Sequence, residues 1–282
     1  MSGKILVTGA TGNIGGGIVR LLKEKNVDFI AGRGSRSVDG VDSVSLDFAD
    51  THSLEAAMQG ISTLFMVLAN HPDMLTWGKN VIDTAKKCGI KHIVRSGGSL
   101  ADSDSSIGVR KVLAETDQYL KESGIDYTIT APNFFMQNFI NFHGEDYKNG
   151  AIYLSAGDGK VAWVDVRDIA AVNAEVLINP EKYRNQTLLV TGAKALSYSE
   201  AVAVMNDVLG KDVKYVAVSD EDAVNAMTEM EFPKFLIDLM IDLNRCIREG
   251  FAEETAATVK DVTGNDAISF EQFVQDNKEA WL

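Results

Sequence analysis

The first 130 residues alternate between two hydrophobic rhythms. Short, nearly unbroken apolar or β-branched runs at residues 5–8, 27–31, 43–46, 64–68, 92–96 and 127–130 predict strands. Between them apolar residues recur at helical spacing. In the first such stretch Ile14, Ile18, Leu21 and Leu22 share one face, with Arg20, Lys23 and Lys25 elsewhere. A second, over about 72–88, aligns Leu75, Val81, Ile82 and Ala85, and a third covers about 109–122. Strands that do not alternate apolar with polar are buried on both faces, as in a parallel sheet covered by helices. Strand, helix, strand repeated in this way predicts an α/β fold, a doubly wound parallel sheet of Rossmann type.

The rhythm changes after residue 130. Ala131-Pro132-Asn133 closes a strand, and an aromatic-rich stretch follows from Phe134 to Phe142. Two short strands are predicted at 152–154 and 161–164, on either side of the turn-like Gly157-Asp158-Gly159. Asp165 starts a helix through about Ile178, with Asp165 as its cap and Asp168 as a first-turn acid. Another strand follows at 187–190, then mainly helix from Ser197 with one strand at 213–218. We therefore divide the chain into an alternating strand–helix region, 1–132, with 163–190 returning to it, and a smaller, mainly helical region, 133–162 and 191–282. No low-complexity linker separates them.

Gly9-Ala10-Thr11-Gly12-Asn13-Ile14-Gly15 leaves the first strand and opens the first helix. A sharp turn, close approach of backbone to a pyrophosphate and tight helix–sheet packing each call for glycine here. The diphosphate would then meet free backbone N–H groups at a helix N-terminus. The second strand runs out through Ala31-Gly32-Arg33-Gly34-Ser35-Arg36, without the acid that would bond a free ribose 2′-hydroxyl. Arg33 and Arg36 can instead offer charge-assisted bonds to a 2′-phosphate. The expected cofactor is NADP(H). Asp47 and Phe48, after the third strand, are placed to meet the adenine. Leu68-Ala69-Asn70, Ser96-Gly97 and Pro132-Asn133-Phe134 end the next three strands, at the edge where a parallel sheet presents groups to a ligand.

Composition narrows the picture. The 282 residues are 45% hydrophobic and 24% charged, ordinary for a globular chain. Lys and Arg total 27 against 40 Asp and Glu, a formal charge of −13, which disfavours general nucleic-acid or anionic-membrane binding. Cys88 and Cys246 make no disulfide framework, and no histidine–carboxylate cluster suggests a metal. The apolar run at 64–69 is far short of a membrane span, so a cytoplasmic protein is expected.

The glycine segment resembles the opening of the NmrA-like group of atypical short-chain dehydrogenases. Pro132-Asn133-Phe134-Phe135-Met136-Gln137-Asn138, Trp163-Val164-Asp165-Val166-Arg167-Asp168-Ile169-Ala170 and the ending Ser269-Phe270-Glu271-Gln272-Phe273 with Trp281 are similar to its later signatures. The resemblance implies NADP(H) in a cleft between a Rossmann domain and a smaller C-terminal one. It implies either reduction of quinones, azo dyes or triphenylmethane dyes, or a silent NADP(H)-sensing regulator.

Ordinary members of the wider family carry Y-x-x-x-K. The matching stretch here is Ile107-Gly108-Val109-Arg110-Lys111: the lysine is present, and the tyrosine position holds an isoleucine that moves no proton. Alcohol dehydrogenation and nucleotide-sugar epimerisation are thereby disfavoured. Lys111 is a candidate catalytic and ribose-binding residue, with a surface pair to Glu115 as the alternative. His71, in Asn70-His71-Pro72, is a candidate proton donor, and His143 a candidate pocket residue. The expected partner is a small planar aromatic or quinone-like substrate, and a homodimer is the assembly to test for. Met227, Met230, Phe232, Phe235, Leu236 and Met240 read as core packing, with a pliable lid as the alternative.

Overall fold

The computed structural model describes residues 3–282. The chain runs β1 (Lys4–Val7), α1 (Asn13–Glu24), β2 (Phe29–Arg33), β3 (Ser43–Ser45), α2 (Thr51–Ala57), β4 (Ile61–Val67), α3 (Met74–Lys87), β5 (His92–Ser96), α4 (Gly108–Glu122) and β6 (Asp126–Pro132). It continues through α5 (Asn138–Asn141), α6 (Gly144–Lys148), β7 (Ala151–Leu154), β8 (Lys160–Val161), α7 (Val166–Ile178), β9 (Gln186–Val190) and β10 (Leu196–Ser197). The last elements are α8 (Tyr198–Leu209), β11 (Lys214–Ala217), α9 (Asp220–Glu229), α10 (Lys234–Arg248), α11 (Thr258–Thr263) and α12 (Phe270–Asp276).

Seven strands form one sheet in the order β3-β2-β1-β4-β5-β6-β9, and every pairing in it is parallel. The doubly wound Rossmann architecture expected from the hydrophobic pattern is what the chain adopts. Successive strand residues serve opposite faces. Ile5 and Val7 join Ile18, Val19 and Leu22 of α1 and Ile169 of α7, whereas Leu6 joins Leu54, Ile82 and Leu120 beneath α2, α3 and α4. The winding reverses between β1 and β4. That point opens a crevice at the carboxyl edge of the sheet, where such folds bind ligands.

A third hydrophobic cluster lies outside the sheet. Phe139, Trp163, Tyr198, Phe273 and Trp281 are its buried aromatic centre, and Leu100 and Ile107 from the β5–α4 connection reach into it. The Trp281 indole N–H donates to Phe139 O at 3.1 Å, anchoring the C-terminal end of the chain. The two strands expected around Gly157-Asp158-Gly159 do not pair with each other. β7 runs parallel to β11, and β8 is only two residues long and antiparallel to β10. The backbone beyond β8 is already engaged: Ala162 N–H donates to Ala252 O, and Val164 bridges to Phe135. Among the described residues, no helix is long and apolar enough to cross a membrane.

Candidate active site

The glycine loop sits at the reversal point between β1 and β4. Gly9 has φ +62°, a left-handed conformation that a side chain would strain. Gly15 is needed for a different reason: a Cβ there would stand 2.2 Å from Gly9 O, a backbone atom that cannot step aside alone. Between them Gly12 caps α1 with its backbone only. Among the described residues no side chain caps the first turn of the helix, and that turn holds no acidic residue. The amides of Asn13, Ile14 and Gly15 therefore open towards the crevice with the positive end of the helix dipole behind them. Thr11 lies in the same loop, and its carbonyl accepts from Arg36 Nη2 at 3.3 Å.

That contact draws Arg36 from the end of β2 onto the glycine loop. Arg33 bonds Ser43 Oγ and Gly34 O, both at 3.3 Å. These are long bonds, and each guanidinium keeps further N–H groups for an anion. Asp47 is exposed, and its Oδ1 already accepts from Ala49 N–H at 2.9 Å. Phe48 is half-buried and its carbonyl is held by Asn80. The residues gathered around this end fit a dinucleotide bearing an additional phosphate: open amides for the diphosphate, two arginines for the 2′-phosphate.

The other end of the crevice is formed by the ends of β4, β5 and β6. Leu68 packs on the sheet core, while Ala69, Asn70 and His71 are exposed. Asp73 N–H donates to His71 Nδ1 at 3.1 Å. A backbone N–H can only donate, so Nδ1 presents its lone pair and the imidazole hydrogen is on Nε2. The ring stacks on Trp77 at 4.2 Å and 14°, and Trp77 in turn meets Phe48 at 6.2 Å. Trp77 escaped the sequence reading because it lies off the apolar stripe of α3; an aromatic out of register on an amphipathic helix was the available signal.

Ser96 is buried, and Gly97 N–H donates to Thr130 O at 2.8 Å, tying the β5 loop to β6. Beneath Gly97, Arg95 Nη1 approaches Asp117 Oδ1 to 2.6 Å without hydrogen-bond alignment, both groups being buried. Burial pushes the Asp117 carboxyl up and the Arg95 guanidinium down, each opposed by its partner's charge. Pro132 ends β6. Asn133 is buried with its side chain fully engaged, Nδ2 donating to Ala252 O and Oδ1 accepting from Phe134 N–H, each at 2.8 Å. Phe134 is half-buried and edge-on to Trp163.

Ile107 precedes α4 and is 2% exposed, packed in the C-terminal cluster. Lys111, one turn on, is largely exposed, with Nζ 3.9 Å from Glu115. His143 lies inside the C-terminal core against Phe139 and Tyr198, not in the crevice, and burial pushes its pKa down to about 4. Asp165 caps α7 by accepting from Arg167 N–H, as expected. Asp168 accepts from Ile268 N–H, and its pKa is pushed up to about 6, chiefly by burial. Among the described residues, no cluster of three or more His, Cys, Asp or Glu side chains could hold a metal ion.

The late helices depart from the core reading. Met230, Phe232 and Phe235 are 68%, 46% and 38% exposed, and α9 buries no residue. Phe235 of α10 stands 6.4 Å from the His71 ring. Further along α10, Asp242 Oδ2 accepts from Val109 N–H at 3.3 Å, in the first turn of α4. The sequence reading passed over Asp242, for nothing local marks its partner.

Fold and crevice together define a nucleotide-binding α/β protein. More narrowly, residues 1–253 match the NmrA-like family, and the chain belongs to it. It is 36% identical to an NAD(P)H azoreductase of Xenophilus azovorans, over 98% of this chain and 99% of that one. It is 26% identical to quinone oxidoreductase 2 of Escherichia coli, over 96% and 97% of the two chains. The crystal structure of a triphenylmethane reductase from Citrobacter sp. complexed with NADP(H) superposes with a TM-score of 0.85 at 26% identity, covering 96% of this chain and 99% of that one.

Proposed function

We propose that this protein is an NADPH-dependent reductase of small, planar, electron-poor aromatic acceptors, quinone-like or azo-dye-like. The observation that carries the reading is the pairing of an open phosphate cradle with a buried Ile107 at the usual proton-donor position. Alcohol chemistry needs an acid–base group there. Reduction of a quinone or azo group needs one far less, because the product anion is delocalised and can take its proton from water. Similarity to an azoreductase and a quinone oxidoreductase supports the same class of acceptor.

NADPH, held in the crevice, supplies the hydride. The α1 amides hold its diphosphate, Arg33 and Arg36 hold the 2′-phosphate, and Asp47 and Phe48 border the adenine. The ends of β4, β5 and β6 position the nicotinamide beside the acceptor, and that proximity provides most of the acceleration. His71 Nε2–H is the group that can donate to the acceptor's oxygen or nitrogen as charge arrives on it. Lys111 lies on the exposed face of α4, 3.9 Å from Glu115, and would reach the ribose only by leaving that pair.

The test is a panel of quinones and azo dyes, followed through loss of the nicotinamide absorbance. Turnover is expected with NADPH at roughly tenfold or more the efficiency seen with NADH, the value of one charge-assisted contact. No turnover across the panel, despite selective NADP+ binding, would leave the catalytically silent, NADP(H)-sensing reading instead.

A further inference from the structure

The helix α10 is fastened to the carboxyl edge of the sheet at two points. Near its start, the Phe235 ring stands 6.4 Å from His71, which is itself stacked on Trp77. Near its middle, Asp242 accepts a hydrogen bond from Val109 N–H in the first turn of α4. His71 follows β4 and α4 follows β5, so the two fastenings belong to adjacent strands around the same crevice. Seven helical steps separate them, a rise of about 10 Å, comparable to the width of a one- or two-ring aromatic molecule.

Helical geometry says what lies between. Phe235, Leu239 and Asp242 stand at i, i+4 and i+7, and so share one face. Two of the three touch the crevice walls, so Leu239 faces the gap they bracket. It is partly covered, yet it belongs to none of the three hydrophobic clusters. Leu243, Cys246 and Ile247, farther along α10, do join the C-terminal cluster. Leu239 is thus an apolar side chain set by helical register between the two fastenings and outside the three hydrophobic clusters.

We propose that the Phe235–Leu239–Asp242 stripe is the roof of the acceptor site, and that Leu239 sets the size of the planar acceptor admitted. The inference rests on the reductase reading above and names the element that selects its substrate. The occupant is a flat, uncharged ring. The stripe offers a leucine and a phenylalanine, the opposite wall offers the His71–Trp77 stack, and the one acid of the stripe is turned onto the α4 amide. Such surfaces bury an aromatic face and leave a charged group unsolvated.

The experiment compares Leu239→Trp and Leu239→Ala with the unaltered protein, using p-benzoquinone as a small acceptor and the uncharged azo dye 4-dimethylaminoazobenzene as a long one. Leu239→Trp should lower kcat/KM for the azo dye by about tenfold or more and change p-benzoquinone by less than about threefold; Leu239→Ala should favour the azo dye. NADPH affinity should be unchanged in both, which also reports that the fold is intact. Equal effects on the two acceptors, or none, overturn the proposal. If the unaltered protein reduces neither compound, the reductase reading fails by itself, and the roof is read from equilibrium dialysis of 4-dimethylaminoazobenzene against the NADP+-loaded protein. Binding that Leu239→Trp abolishes and Leu239→Ala preserves supports the roof. Binding indifferent to residue 239, or no binding at all, overturns it.

Discussion

Two helices, α1 and α4, begin at the carboxyl edge of the same sheet, and their first turns meet opposite treatment. The first turn of α1 has no side-chain cap among the described residues and no acid, and Arg36, from the loop after β2, bonds Thr11 O just before it. The first turn of α4 is reached by Asp242 from α10, 133 residues away, and Ile107 at its cap is sealed in a hydrophobic cluster. Both helices carry the same dipole, so the dipole alone does not make an anion site. What makes one is the end the rest of the chain leaves open. At α1 the backbone stays available to a diphosphate. At α4 a carboxylate already occupies the amide and would repel a phosphate.

The most damaging way to break this contrast is to close the open end. Gly15→Ala places a methyl group 2.2 Å from Gly9 O, so the loop must move and the three amides lose their common focus. With each charge-assisted bond worth about 1.5–3 kcal/mol, losing two should weaken NADPH binding by about a hundredfold or more. Calorimetric titration measures it, and a thermal melt shows whether the fold survives. Binding within a few-fold of the unaltered protein would remove the diphosphate from the α1 end.

The next effect down separates the two arginines from the amides. Arg33→Ala and Arg36→Ala should each lower the NADPH-to-NADH preference by about tenfold, because only the 2′-phosphate distinguishes the nucleotides. NADH binding should be nearly unmoved by Arg33→Ala. Arg36→Ala also removes the contact to Thr11 O, so a small parallel loss for NADH is expected there. Equal losses for both nucleotides in the Arg33 variant would make it a loop charge.

The α1 end was legible because all its determinants are local. A strand, three spaced glycines, a helix and the end of the next strand fall within the first 36 residues, and each has a fixed conformational meaning. The α4 end was only half legible. Ile107 could be read as lacking a proton donor, but nothing nearby shows that Asp242 caps the helix or that residues 100 and 107 join a distant cluster. The same limit explains the short β8, whose expected extension is taken by backbone partners at 134–135 and 252. It also explains Met230, Phe232 and Phe235: composition marked them as core, and only the tertiary arrangement leaves them in solvent.

Opening the closed end should cost less. Asp242→Ala removes the side chain that bonds the α4 first turn through Val109 N–H, a loss of about 1 kcal/mol of stability. For a chain of this size that is a fall of roughly 2–4 °C in Tm, measurable by scanning calorimetry. NADPH affinity should stay within about twofold, since α1 is untouched. A clear gain in NADPH affinity would mean that the carboxylate was repelling the nucleotide, and that the two helix ends compete for it.

Lys111→Met should have the smallest consequence and sharpens the contrast most. The ammonium is 57% exposed and 3.9 Å from Glu115, an i,i+4 pair worth a few tenths of a kcal/mol in water. If that pair is its whole role, Tm should move by about 1 °C and NADPH affinity by less than threefold. Reaching the ribose requires the side chain to leave Glu115 and swing into the crevice, and the nucleotide must then repay its lost freedom. The expected outcome is the small one, because α4 presents Lys111 to solvent while its first turn is held by α10. A tenfold rise in the Kd for NADPH, with turnover falling alongside, would place the lysine on the ribose. The α4 end would then take part in nucleotide binding through its side chains while its backbone stays closed.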